Sequence, residues 1–182
     1  MLGLVAPAER LVLVEDAREL RTDHPHVVRL TARPPNIEGA GEVSLRDLVR
    51  QALRMRPDRI VVGEVRGGEV VELLTALNTG HAGSAGTLHA NSAAELPARL
   101  EALGSLGGLD RHAVHSQAAA ALQVALHLSR LSDGRRVLAE VAVFHREGGT
   151  IRVVPAWRHD RGRVDGWGAL ESLLGRIGIG DQ

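Results

Sequence analysis

The chain has 182 residues, 44% hydrophobic and 24% charged, with 22 acidic side chains balanced by 22 basic ones and no cysteine. That length supports one core of ordinary size with a small appendage. The neutral balance argues against a general electrostatic grip on nucleic acid or an anionic membrane, and the lack of cysteine excludes disulfides, thiolate zinc sites and thiol catalysis.

All 22 basic residues are arginine, and the aromatic residues are Phe144, Trp157 and Trp167, which leaves little to build a base-stacking surface. Residues 1–10 lack the positive start and long apolar stretch of a secretory signal. Residues 73–94 carry no Asp, Glu or Arg, but Asn78, Thr79, His81, His89 and several glycines are foreign to a membrane span. The expectation is a cytoplasmic, soluble protein with no transmembrane segment and no direct nucleic-acid partner.

In chain order, residues 11–14 form a branched apolar run short enough for a buried strand, ending at Glu15-Asp16. Residues 26–30 read as another strand, and Pro34-Pro35 with Gly39 and Gly41 as a loop. Ser44 opens a helix with Asp47 as a capping box and Leu45, Leu48, Val49, Ala52 and Leu53 on one face; Pro57 forces its end. Residues 60–62 form a buried strand bounded by Gly63-Glu64. A helix follows from about Gly68, with Glu69 and Glu72 near its positive end, and stops at Gly80. Residues 84–88 fit a third strand ending at His89, and Ser92 with Glu95 predicts a capping box opening the next helix. Strand and helix alternate, which implies a largely parallel sheet covered by helices.

Beyond Gly107-Gly108 the pattern changes. Asp110 caps a helix to about Ala121, and three strands with turns at 132–134 and 147–149 predict an antiparallel meander added to the edge of the core. The tail from about 158 is rich in Gly, Arg and Asp, reads as loosely ordered, and holds a short helix near 169–177. The expected division is one domain over 1–157 and a tail over 158–182.

In a parallel α/β sheet, ligands collect outside the carboxyl ends of the strands, where helix N-termini point outward. Glu15, Asp16, Glu64 and His89 all fall there. Phosphoryl transfer to water needs a carboxylate to polarise the water, one to hold magnesium directly or through water, and donors for the charge on the transferred group. His24 with His26 and His112 with His115 have metal-ligand spacing, yet no further ligand completes either set, so both read as solvated surface. A metal hydrolase built on His81, His89 and Glu64 is a weaker alternative.

Glu15-Asp16, Arg33-Pro34-Pro35-Asn36-Ile37-Glu38-Gly39, residues 54–67 and residues 79–91, in that order, resemble the ATPases of type II and type IV secretion systems, closest to the tight-adherence (Flp) pilus assembly and conjugal-transfer-associated ATPases. The resemblance covers roughly residues 8–145 and implies a RecA-like, P-loop NTPase α/β core in a hexamer that uses ATP and Mg2+ and works with inner-membrane platform proteins of a pilus or secretion machine. It places the Asp box on Glu15, as water polariser, and Asp16. The Walker B motif falls on residues 60–64, with Gly63 beside the nucleotide and Glu64 the magnesium-linked acid. The His box falls on residues 80–89, with His89 sensing the γ-phosphate and His81 and Thr87 near the nucleotide. Arg54, Arg56 and Arg66 match positions near the nucleotide or the neighbouring subunit.

The departure is the phosphate cradle. Family members carry a Walker A loop before the segment that begins here at Met1, where residues 1–8 look like the end of the following helix. The resemblance therefore implies a RecA-like core lacking the P-loop strand, with ATP affinity lowered by several kcal/mol. The competing expectation is a catalytically inactive remnant that serves as an interaction module.

Overall fold

The computed structural model describes residues 2–81 and 83–176. They divide into two compact units. The first runs to His89 and includes Leu103–Leu109; the second is Ala90–Ala102 with the described residues from Asp110 onward. One domain with a loose tail was the expectation; the chain instead builds two separate sheets.

The first unit holds a parallel sheet in the order β2-β1-β3-β4, made of β1 (Leu11–Glu15), β2 (Val27–Thr31), β3 (Arg59–Val62) and β4 (Ala85–Gly86). Every residue of β1 is buried, as a strand flanked on both edges and covered on its faces requires. The third predicted strand keeps only two residues in the ladder: Ala85 pairs with Val61 and Gly86 with Val62. Helix α1 (Leu45–Arg54) starts at the predicted capping box, with the Ser44 hydroxyl accepting from the Asp47 amide at 3.2 Å and the Asp47 carboxylate accepting from the Ser44 amide at 3.3 Å. Helix α2 (Val70–Asn78) buries Val70, Leu73 and Leu74. Gly80 beyond it adopts φ of 93°, the left-handed conformation that ends a helix.

Glu72 does not act as a solvated acid at a helix start. It is 7% exposed, and its Oε1 accepts from Arg46 at 2.6 Å and from Arg50 at 2.8 Å, clamping α2 to α1. Ahead of β1, residues 2–4 form a single 3-10 turn.

In the second unit the predicted capping box at Ser92 is absent: its side chain makes no cap bond, and Glu95 accepts instead from the amide and side chain of Asn91. A 3-10 turn (Ala93–Glu95) leads into α3 (Leu96–Leu106). Asp110 caps α4 (Arg111–Ala121) by accepting from the Ala113 amide at 2.7 Å. The meander follows as β5 (Val124–Arg130), β6 (Arg136–Glu147) and β7 (Thr150–Arg158).

This meander forms its own antiparallel sheet, order β5-β6-β7-β8, rather than extending the parallel one. The described tail is ordered: β8 (Gly162–Arg163) pairs with β7, and α5 (Trp167–Arg176) buries Leu170 against Val143 and Ala156. The part of the predicted tail beyond Arg176 lies outside the described residues. His115, expected at a solvated surface, is 3% exposed; its Nδ1 accepts from the Ile151 amide and its Nε2 meets Glu101 at 2.7 Å, tying α4 to β7 and α3. His24 is also buried, with Nε2 donating to the Ala6 carbonyl at 3.0 Å.

Candidate functional site

Because β1, β3 and β4 run parallel, residues that follow them share one edge of the sheet. Glu15, Glu64 and His89 all lie on that edge, but their side chains do different things.

Glu64 and His89 meet directly, with His89 Nε2 2.7 Å from Glu64 Oε1. The other carboxylate oxygen takes a short hydrogen bond from Arg66. The Glu64 side chain is one-fifth exposed whereas His89 and Arg66 are largely exposed, so the acid sits at the base of the group and its two partners project outward. The Arg66 hydrogen bond holds the Glu64 carboxyl below the usual carboxylate range; burial opposes this, and the charges of Arg66 and His89 reinforce it.

A folded-state pKa below the unfolded one means that Glu64 contributes stability above the ordinary carboxyl range. That contribution is lost as pH falls through the lowered value. NMR titration of the Glu64 carboxyl should therefore give a midpoint below the ordinary glutamate range, and Arg66→Ala should move it back up. An unchanged midpoint in Arg66→Ala would remove Arg66 as the cause.

Two features shape this edge. Gly63 follows β3 with its amide bonded to the Val14 carbonyl at 2.8 Å, and a Cβ there would lie 2.9 Å from Glu15 Cγ, so the Glu15 side chain occupies the space that a side chain at 63 would need. Glu69, read from sequence only as an acid near a helix start, accepts from the amides of Arg66 at 2.6 Å and Gly67 at 2.8 Å. It thereby fixes the turn that aims Arg66 at Glu64. Its spacing three residues after Arg66 was the available signal, and it resembles that of a capping residue.

Glu15 is turned inward. It is 3% exposed, its Oε1 accepts from the amides of Glu19 at 2.9 Å and Leu20 at 2.7 Å, and Arg29 lies 3.8 Å from its other oxygen. Asp16 is exposed and lines a cleft of about 500 Å³ together with Arg33, Glu42, Ser44, Arg66 and Glu69. Arg33, which no pattern in the sequence marks as a lining residue, is held by its Nε donating to the Gly41 carbonyl at 2.8 Å. Thr87 bridges strands through its backbone, donating to Val62 and accepting from Val65.

The remaining predicted residues stand apart from this group. Arg54 ends α1, and the exposed Arg56, at φ of 51°, leads toward the start of β3; the Met55 carbonyl between them accepts from Arg10 just before β1. Both arginines therefore lie at the amino edge of the sheet, opposite Glu64. His81 precedes β4, with Nδ1 donating to the Ala76 carbonyl at 3.1 Å, whereas His89 follows it. Among the described residues no three His, Asp or Glu side chains are grouped to hold a metal. The His81, His89 and Glu64 hydrolase is thus not assembled. No helix among the described residues is long and apolar enough to cross a membrane.

A family profile described as type II/IV secretion system protein matches residues 1–155. A Mycobacterium tuberculosis protein named for conjugal transfer is 64% identical over 174 residues, covering 96% of this chain and 49% of the relative. The type IV secretion system protein PtlH of Bordetella pertussis is 44% identical over 95 residues, 50% of this chain and 27% of its own length. Among solved structures, the VirB11 ATPase of the Brucella suis type IV secretion system superposes with a TM-score of 0.64 at 28% identity, covering 75% of this chain and 40% of that one. The chain thus spans about half the length, or less, of the relatives it matches.

Proposed function

Because the chain belongs to the type II/IV secretion system protein family, we propose that it is the part of a secretion or pilus-assembly ATPase that bears the Asp box, Walker B motif and His box. The intact protein would be a cytoplasmic hexamer coupling ATP hydrolysis to pilin assembly or export through inner-membrane platform proteins. The observation that carries this reading is the contact of Glu64 with both His89 and Arg66 at the carboxyl edge of the parallel sheet. An acid there with two exposed nitrogen donors as neighbours suits an anionic ligand that would draw His89 and Arg66 onto itself and free Glu64.

The donor set fits Mg2+ held mainly by nucleotide phosphates and water, with one carboxylate nearby, since no closed metal cage exists among the described residues. Glu64 would hold it through water; when bound, Mg2+ neutralises charge on the transferred phosphoryl group. His89 would sense the γ-phosphate, Asp16 and Arg66 would frame the approach from the cleft, and Gly63 and Thr87 would supply backbone beside it. Glu15 Oε1 is taken by the Glu19 and Leu20 amides, so a water would have to be polarised by its Oε2, 3.8 Å from Arg29. Arg54 and Arg56, exposed at the opposite edge, suit contact with a neighbouring subunit better than with their own Glu64.

Calorimetric titration with ATP tests this. Without any lysine in these 182 residues, binding no tighter than about 1 mM, or about −4 kcal/mol, is expected. It should strengthen on adding Mg2+ and lose that increment in Glu64→Gln. Identical titrations for both proteins would remove Glu64 from the site. A second reading, a non-catalytic interaction module, is favoured by the same lack of lysine, and absence of any binding with or without Mg2+ would support it.

A further inference from the structure

Glu72 is a buried acid of α2, and its ties to α1 are lopsided. Its Oε1 accepts three bonds, from Arg46 Nε at 2.6 Å and from Arg50 Nε at 3.1 Å and Nη2 at 2.8 Å, while its buried Oε2 accepts none among the described residues. A pairing built for stability would use both oxygens, since a buried acceptor left without a donor costs free energy. Burying an acid beneath its partners also gains little over apolar residues of similar size. What three donors on one oxygen do supply is register. Arg46 and Arg50 stand four residues apart on one face of α1, so both reach Oε1 only with that oxygen held between them. α1 cannot slide or turn past α2 without breaking one of these bonds.

That register governs the mouth of the cleft. Ser44 and Leu45 at the start of α1, and Gly67 and Glu69 just ahead of α2, line the same cleft. Arg46 follows Leu45 directly and Glu72 comes three residues after Glu69, so the ion pair joins the first turns of the two helices immediately behind these walls. Glu69 in turn accepts from the amides of Arg66 and Gly67, and Arg66 donates to Glu64. A continuous set of links thus runs from α1 through Glu72 and the first turn of α2 to Arg66.

We propose that Glu72 is a positioning residue: by holding Arg46 and Arg50 it fixes the start of α1 against the start of α2, and so sets the width of the cleft and the aim of Arg66 at Glu64. Glu72 touches no ligand in this role. The proposal rests on Glu64 and Arg66 being the working group of the chain, but not on which ligand they take. Its test therefore uses no nucleotide, and a failure of ATP to bind shows separately, in the titration of the unaltered chain.

The chain has no cysteine, so Gln51→Cys on α1 and Thr75→Cys on α2, both at exposed positions, give a clean pair of spin-label sites. Double electron–electron resonance should show one narrow distance in this labelled parent. Glu72→Gln removes the charge that draws both arginines. It should broaden that distance or shift it by about 1 to 2 Å, the scale of a helix shift, and should move the NMR midpoint of the Glu64 carboxyl up toward the ordinary glutamate range. Arg46→Met with Arg50→Met and Glu72→Leu separates position from stability. This triple variant replaces the network by apolar side chains, is expected to melt cooperatively at about the parent's temperature, and should show the same two changes. A narrow, unshifted distance or an unchanged Glu64 midpoint in either variant overturns the proposal. Loss of cooperative melting in the triple variant overturns it as well, because the network would then be a source of stability rather than of position.

Discussion

Glu15→Ala is expected to lower the stability of the parallel-sheet unit by about 3 kcal/mol, whatever it does to catalysis. The carboxylate is 3% exposed and satisfies two amides of the following loop, at Glu19 and Leu20. Orphaning a buried amide costs about 1 to 3 kcal/mol, and two are at stake. Arg29 adds to the loss, since it is held beside Glu15 and itself donates to the Leu20 carbonyl at 2.5 Å. Glu15→Gln keeps one acceptor oxygen and the packing of the methylenes, so it should cost roughly half as much.

Urea unfolding measures both, as a shift in midpoint at constant slope. A loss below about 0.5 kcal/mol for Glu15→Ala would mean that the acid does not anchor the loop and is free for chemistry at the surface. If the anchor is real, a dead Glu15→Ala enzyme is no evidence for water activation. Only Glu15→Gln, compared at matched stability, addresses that role.

The distinction between Glu15 and Glu64 marks how far the sequence could be read. Both acids follow a buried apolar run, and strand periodicity put both on the carboxyl edge, where they are found. Periodicity fixes the strand and its exit but not the rotamer of the first side chain beyond it. Which acid turned inward was decided by Gly63, whose missing Cβ leaves room for Glu15 Cγ, and by loop amides at 19 and 20 that no pattern advertises.

The helices α1, α2 and α4 were legible because their start and stop signals are local: the Ser44 and Asp110 caps, and the left-handed Gly80. The Ser92 box had the same local signature and failed, since Asn91 competes for Glu95. The burial of β5, where Val124, Leu126 and Leu128 are exposed and Ala125, His127 and Ser129 half-buried, was illegible for a different reason. Alternation shows that a strand has two faces, but which of them is covered depends on neighbours far along the chain, here α5 over β6 and β7.

Gly68→Ala is expected to be as damaging as losing a core leucine, at the upper end of the 1 to 3 kcal/mol typical of overpacking. A Cβ at Gly68 would lie 2.8 Å from Gly107 Cα and 2.9 Å from Gly107 N, both backbone atoms, so no rotamer change relieves the clash. A Cβ built at Gly107 would in turn meet Val71 Cγ2 and the Gly68 carbonyl, so the approach is close from both sides. Relief through a shift of the 66–68 turn has a readable consequence. That turn is held by Glu69 and carries Arg66, the partner of Glu64. Gly68→Ala should therefore produce two linked effects: a lower urea midpoint, and a Glu64 carboxyl midpoint moved back up toward that of an exposed glutamate as Arg66 is displaced. Gly168→Ala is the control. It lies in α5 with open space around its Cα, and there alanine should stabilise by about 0.5 to 1 kcal/mol through helix propensity. If Gly68→Ala is tolerated as well as Gly168→Ala, the approach of Gly68 to Gly107 is soft, and Arg66 is not held on Glu64 by the rigidity of this turn.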